Sequence, residues 1–160
     1  MKKWKAISPA LLLAYLLFPL SALAFPAKVV GVTDGDTVKV LTSDQELLKI
    51  RLAEIDTPER RQPWGTRAKQ ALSDLVFGKS VEVQPVTVDR YGRTIAHLYL
   101  GDLNINKEMV RTGNAWAYRK YLKDKSLLDL EAIARIERRG LWNLPDALQM
   151  PPWDWRRKKH

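Results

Sequence analysis

From Lys28 onward the chain falls into three short apolar runs, Lys28–Thr33, Thr37–Leu41 and Leu47–Ala53. Each is rich in Val, Ile or Leu and bounded by turn residues, which predicts three β-strands. Asp34-Gly35 between the first two reads as a type I′ hairpin turn, which needs positive φ at both central positions. The period then changes. Between Arg67 and Phe77, Ala68, Leu72, Leu75 and Val76 recur at helical spacing, and Gly78 stands where a helix would end. Two further strands are predicted at Val81–Val88 and Arg93–Leu100, joined through Asp89-Arg90-Tyr91-Gly92. Asn104–Thr112 reads as a short helix closed by Gly113. Ser126–Arg139 reads as a longer one, with Leu127, Leu130 and Ala134 on one stripe and its charges on a solvated face. Five short strands, interrupted and followed by helices, favour a small closed barrel over a parallel sheet. The fold class expected is α+β, mainly β, with an OB-like barrel.

The first 24 residues do not fit this plan. Lys2, Lys3 and Lys5 precede a short apolar run, Ala10–Leu20, and Ala22-Leu23-Ala24 supplies a small-x-small pattern. This matches a cleaved export signal, with the mature chain starting at Phe25 in a periplasmic or secreted location. A retained membrane anchor is the alternative, but the run falls short of the ~20 apolar residues a span needs. Residues 25–160 then form one domain with a basic C-terminal tail. The absence of cysteine excludes disulfides and thiolate metal sites.

Charge adds a weak pointer. Of 27 basic residues three lie in the leader, leaving 24 against 18 acids, a formal +6. A basic small domain suits an acidic partner such as nucleic acid. The tail from Pro145 is rich in Pro and Trp and ends in Arg156, Arg157, Lys158 and Lys159, which reads as a disordered, solubilising end. Trp116, Trp142, Trp153 and Trp155 read as packing residues. Neither His97 nor His160 has a partner that suggests a triad or a zinc site.

The informative residues are carboxylates in the wrong places. Asp36 shares side-chain parity with Val38 and Val40, so it points to the face they bury. A carboxylate there is costly unless it is paired or holds a metal. "RLAEIDTPER", residues 51–60, ends the third strand with Arg51, Asp56, Thr57 and Glu59, and Pro58 stops the ladder. "DRYGR" presents Arg93 just after a tight turn. Asp36 and Asp56 are hard oxygen ligands suited to Ca²⁺ or Mg²⁺. Arg51 and Arg93 offer planar forks that match phosphate, and Glu59 can activate or orient a water. Together these groups have the chemistry of phosphodiester hydrolysis.

"DGDTVKV", "RLAEIDTPE" and "DRYGR" resemble, in order and spacing, the signature segments of the staphylococcal nuclease family. "INKEMVRTGNAWAY" and "EAIARIERRGLW" are similar to its later helical segments, so the resemblance covers roughly Phe25–Trp155. It implies a five-stranded OB barrel with three helices, acting as a monomer with no stable protein partner. It also implies Ca²⁺-dependent cleavage of DNA and RNA to 3′-phosphate and 5′-hydroxyl ends. By the same resemblance, Asp36 and Asp56 are calcium ligands, with the Thr57 carbonyl as a third and Asp34 as a supporting neighbour. Arg51 and Arg93 contact the phosphate and its transition state, and Glu59 is the proposed general base. Tyr91, Tyr118 and Tyr121 are substrate contacts. The connection Arg60–Gly65 is shorter than the long loop of the family's best-known member. The competing function is a non-catalytic nucleic-acid-binding module. Such a module has no use for Asp36, Asp56 and Glu59 set against phosphate.

Overall fold

The computed structural model describes residues Leu23–Lys158, so nearly all of the proposed leader lies outside the described residues. Five strands make the barrel: β1 (Phe25–Asp34), β2 (Thr37–Thr42), β3 (Leu47–Leu52), β5 (Ser80–Val88) and β6 (Thr94–Leu100). Antiparallel pairing runs β3-β2-β1-β5-β6, and a parallel pairing of β3 with β6, from Ile50↔Thr94 to Leu52↔Ala96, closes the ring. Two-residue strands β4 (Ile55–Asp56) and β8 (Trp116–Ala117) pair with each other, and β7 (Leu103–Asn104) extends β6's edge. Val29, Val38, Val40, Ile50, Leu52, Val83 and Leu98 fill the interior. Helices α1 (Gly65–Val76) and α2 (Ile105–Arg111) add Leu72, Val76, Ile105 and Met109 to the same core. The Asn104 side chain caps α2 by accepting from the Lys107 N–H at 3.0 Å. The expected OB-type barrel is present.

The β1–β2 connection departs from the type I′ expectation. Asp34 pairs with Thr37, so Gly35 and Asp36 fill the turn, and neither has a positive φ. Glycine is required for room rather than for backbone freedom. A Cβ on Gly35 would lie 2.8 Å from Thr57 Oγ1 and 2.9 Å from Ala68 Cβ. The turn is thus pressed against the exit of β4 and the first turn of α1. Helix α1 also begins two residues earlier than its periodicity suggests. Gly65 lets it do so, because a Cβ there would fall 1.9 Å from the Glu59 carbonyl oxygen.

Helix α3 (Ser126–Ile136) corrects a second expectation, that its charges are all solvated. Glu131 stands on the Leu127–Ala134 stripe and is 1% exposed. Its carboxylate accepts from Arg119 at 2.7 and 2.8 Å, from Arg135 at 2.7 Å and from the Ala117 N–H at 2.7 Å. It therefore pins β8 to α3. Burial alone would raise its pKa, but the Arg119 and Ala117 hydrogen bonds outweigh burial and hold it below the ordinary 4.5. Glu131→Gln should cost roughly 2 kcal/mol in denaturant unfolding at neutral pH. That is below the ~3–5 kcal/mol of a fully buried pair, because both arginines keep solvent contact. A depressed carboxylate stabilises the fold in full above its unfolded value. The gap between wild type and variant should therefore close as pH falls below about 4.5.

Within the basic run Arg156–Lys159, where disorder was expected, the described residues through Lys158 are helical. After single helical turns at Gly140–Asn143 and Asp146–Leu148, a fourth helix, α4 (Pro152–Lys158), ends the described chain. Aromatic anchoring explains it. Trp153 stacks on Tyr118, with centroids 5.4 Å apart and planes 2° from parallel, and meets Trp116 edge-on at 5.7 Å. Trp116 packs edge-on against Trp142 at 4.4 Å. Upstream, Gln62 of the short β4–α1 connection donates to the Met150 carbonyl at 2.6 Å.

Candidate active site

At one rim of the barrel the β1–β2 turn, the end of β3 and the strand β4 bring three charged residues together. Asp36 is 6% exposed and Asp56 1%. Between them lies the Arg51 guanidinium, its Nη2 3.2 Å from Asp36 Oδ2 and 3.0 Å from Asp56 Oδ1. Nη1 of the same group donates to the Leu52 and Ile55 carbonyls at 2.7 and 2.9 Å. Arg51 thus holds the bend from β3 into β4 as well as both acids. Thr57 follows directly. Its N–H and hydroxyl both donate to Asp36 Oδ2, at 3.0 and 2.9 Å, and the Thr37 hydroxyl donates to Oδ1 at 3.0 Å. Asp34 accepts from the Asp36 N–H at 3.2 Å, which fits a supporting neighbour rather than a direct contact.

The electrostatics differ among the three aspartates. Burial would raise Asp36, but the charge of Arg51 and the hydrogen bonds from Thr57 hold it below the usual carboxylate range. Burial raises Asp56, and the adjacent Asp36 charge adds to it, against the pull of Arg156 and Arg51. Asp34 is raised to about 6 by burial and by the charge of Asp36.

Arg156, placed in a disordered tail by its sequence context, lies in this site. Nη2 is 2.6 Å from Asp56 Oδ2, and Nη1 is 3.3 Å from Asp56 Oδ1 and 2.7 Å from Glu59 Oε1. Helix α4, anchored through Trp153, carries it there. The sequence signal was only an arginine three positions past that tryptophan, inside a run of basic residues that reads as solvated.

Other expected members stand apart. Arg93 is held on its own turn, where Nε and Nη2 each meet Asp89 Oδ2 at 2.7 Å. Asp89 also accepts from the N–H groups of Tyr91 and Arg93, at 2.9 and 3.0 Å. No contact joins Arg93 to Asp36, Asp56 or Glu59 among the described residues. Ile95 pairs with Arg51 across the β3–β6 closure, so Arg93 begins one strand repeat away. Tyr91 is exposed on that turn, beneath Arg90 and Arg93. Tyr118 and Tyr121 meet edge-on at 5.0 Å beside β8, and Tyr118 is covered by Trp153. His97 Nε2 lies 3.3 Å from a Glu54 oxygen, a pair that makes neither a triad nor, among the described residues, a metal-binding cluster.

The donor set decides what the rim can hold. Two buried carboxylates on one cationic nitrogen already form a cation-binding arrangement, and their hard oxygens match Ca²⁺ or Mg²⁺. Among the described residues no three acidic or histidine side chains form a ready-made metal cage. An ion here would therefore be held by few side chains, with room left for backbone carbonyl, water and phosphate oxygens. The residues fit such a group.

Comparison with known proteins supplies the context. Residues 49–144 match the family model described as staphylococcal nuclease homologue. A micrococcal nuclease of Shigella flexneri is 45% identical over 144 residues, covering 83% of this chain and 81% of that protein. An uncharacterized endonuclease of Haemophilus influenzae is 43% identical over 132 residues, covering 82% of this chain and 73% of its own. A probable staphylococcal-like nuclease of rice is 37% identical over 119 residues, which span 72% of this chain and 32% of the plant protein. The family-model match contains Arg51, Asp56, Thr57, Glu59 and Arg93, and leaves Asp36 and Arg156 outside it.

Proposed function

The chain belongs to the staphylococcal nuclease family, and on that premise we propose a calcium-dependent nuclease that cuts DNA and RNA to 3′-phosphate and 5′-hydroxyl ends. The observation that carries this reading is the convergence of Asp36 and Asp56 on one nitrogen of Arg51, with Glu59 one residue beyond Pro58. Asp36, Asp56 and the Thr57 carbonyl would hold the ion, which when bound supplies Lewis-acid stabilisation of charge on the phosphate.

The chain's own groups do the rest. Arg51, fixed by two backbone carbonyls, presents charge at the rim without needing to reorganise during reaction. Glu59 is half exposed and takes the proton of a water attacking phosphorus. The bond from phosphorus to the 5′-oxygen breaks, so the phosphate stays on the 3′ side and the 5′-oxygen takes a proton from solvent water to leave as a hydroxyl. Arg93 meets the phosphate by exchanging the Asp89 carboxylate for a phosphate oxygen, an anion of similar geometry. Tyr121, exposed beside β8, offers a ring and hydroxyl for bases or phosphate, while one face of Tyr118 is taken by Trp153.

Digestion of single-stranded DNA, duplex DNA and RNA in Ca²⁺, in Mg²⁺ and in chelator tests this reading. Cleavage in Ca²⁺, little in Mg²⁺, none in chelator and 3′-phosphate ends are expected. Full activity in chelator, or 5′-phosphate products, would overturn it. Binding without cleavage in every condition would favour the scaffold module instead.

A further inference from the structure

Arg156 raises a conflict within the site. It takes both oxygens of Asp56 and one of Glu59, the same acids assigned to the cation and to the base. A guanidinium bound in this way occupies the positions a metal would use, since both seek the same lone pairs. The conflict is one of lone pairs: the Asp56 oxygens and the Glu59 oxygen that Arg156 takes are closed to an ion, so guanidinium and cation exclude one another there.

We propose that Arg156 is a tethered competitor of the divalent cation, carried on α4 as a strap that closes the acid pair until metal displaces it. This rests on the reading of Asp36 and Asp56 as the cation site. The way the strap is built supports it. Gln62 holds Met150, and Trp153 lies flat on Tyr118, so the segment is positioned from two sides. Beyond Trp153, Trp155 is half-buried with its indole nitrogen covered, and the polar contact to the acids is made by the Arg156 side chain, which is 43% exposed. The neighbouring Arg157 pairs with Asp154 of its own helix and not with the acid pair. The polar contact that closes the acids is a single ion-pair cluster made by Arg156.

Cation binding is measured directly, by calorimetry with Ca²⁺ and by terbium luminescence, on the mature wild type, Arg156→Ala and Arg156→Lys. A competitor in place about nine-tenths of the time weakens apparent affinity about ten-fold. Arg156→Ala should therefore bind Ca²⁺ on the order of ten-fold more tightly, and Arg156→Lys should lie between, since a point charge cannot hold both oxygens. Hydrogen exchange on the wild type gives an independent reading. Amides of 153–158 should exchange faster with Ca²⁺ than without it, while those of β3 and β6 stay unchanged. Equal or weaker cation binding by Arg156→Ala, alongside wild-type binding that Asp56→Asn abolishes, would overturn the strap and leave the cation site standing. No cation binding by either protein would overturn both.

Discussion

Arg51→Ala is expected to lower phosphodiester cleavage on the order of 10³-fold, by analogy with arginines that neutralise phosphoryl-transfer transition states. The site geometry shows why the loss should be large and why it needs a control. Arg51 lies between two buried aspartates and bonds two carbonyls at the β3–β4 bend. Its removal takes away transition-state charge and also leaves Asp36 and Asp56 facing one another across a gap, a destabilising arrangement. Arg51→Lys separates the two effects. It keeps a positive charge near the acids, so most of the stability should return, but an ammonium cannot reproduce the fork that spans carbonyls and carboxylates. Its cleavage rate should stay well below wild type even when circular dichroism and thermal melting report a folded barrel. A folded Arg51→Lys enzyme with wild-type turnover would show that the guanidinium geometry has no part in the reaction.

Asp36→Asn should cost a similar factor, on the order of 10³-fold or more, through loss of metal binding. Asparagine is the informative replacement, because its side-chain oxygen can still accept from the Thr57 N–H and hydroxyl and so preserve the turn. Alanine would leave those buried donors unpaired and confuse catalysis with folding. Raising Ca²⁺ should partly restore Asp36→Asn, whose defect lies in affinity, and should do nothing for Arg51→Ala. Initial rates against Ca²⁺ concentration distinguish the two. Wild-type turnover by folded Asp36→Asn at low Ca²⁺ would move the metal site elsewhere.

How far the chain could be read in advance depended on whether local pattern and tertiary packing agreed. The barrel strands were legible because alternation and turn residues point the same way as the final pairing. Asp36, Arg51, Asp56, Thr57 and Glu59 were legible because polar groups at strand ends have few other uses, and the fold does bring them to one rim. Asp34-Gly35 misled because its glycine answers a demand for space set by Thr57 and Ala68, more than twenty positions away. Glu131 was hidden by its chemistry. A glutamate on a helix looks solvated unless the arginine that meets it, Arg119 on another segment, is already known. Arg93 follows the motif in sequence, but Asp89, four residues before it, holds its side chain to the turn. Arg156 depended on a contact across the whole domain, which no window of local sequence contains.

That last contact spans 100 positions and is closed by one half-exposed side chain. Joining chain segments so far apart is entropically slow, and little buried surface remains to reward it before the barrel exists. The ring of strands is therefore expected to form first, with the final helix docking afterwards onto a finished surface. On unfolding the order reverses. Helix α4 can lift away through a local opening that leaves β3 and β6 paired, so its free energy of release is separate from that of the domain. The strength with which the rim is closed can thus be tuned by changes in the last few residues, with the stability of the barrel left as it is.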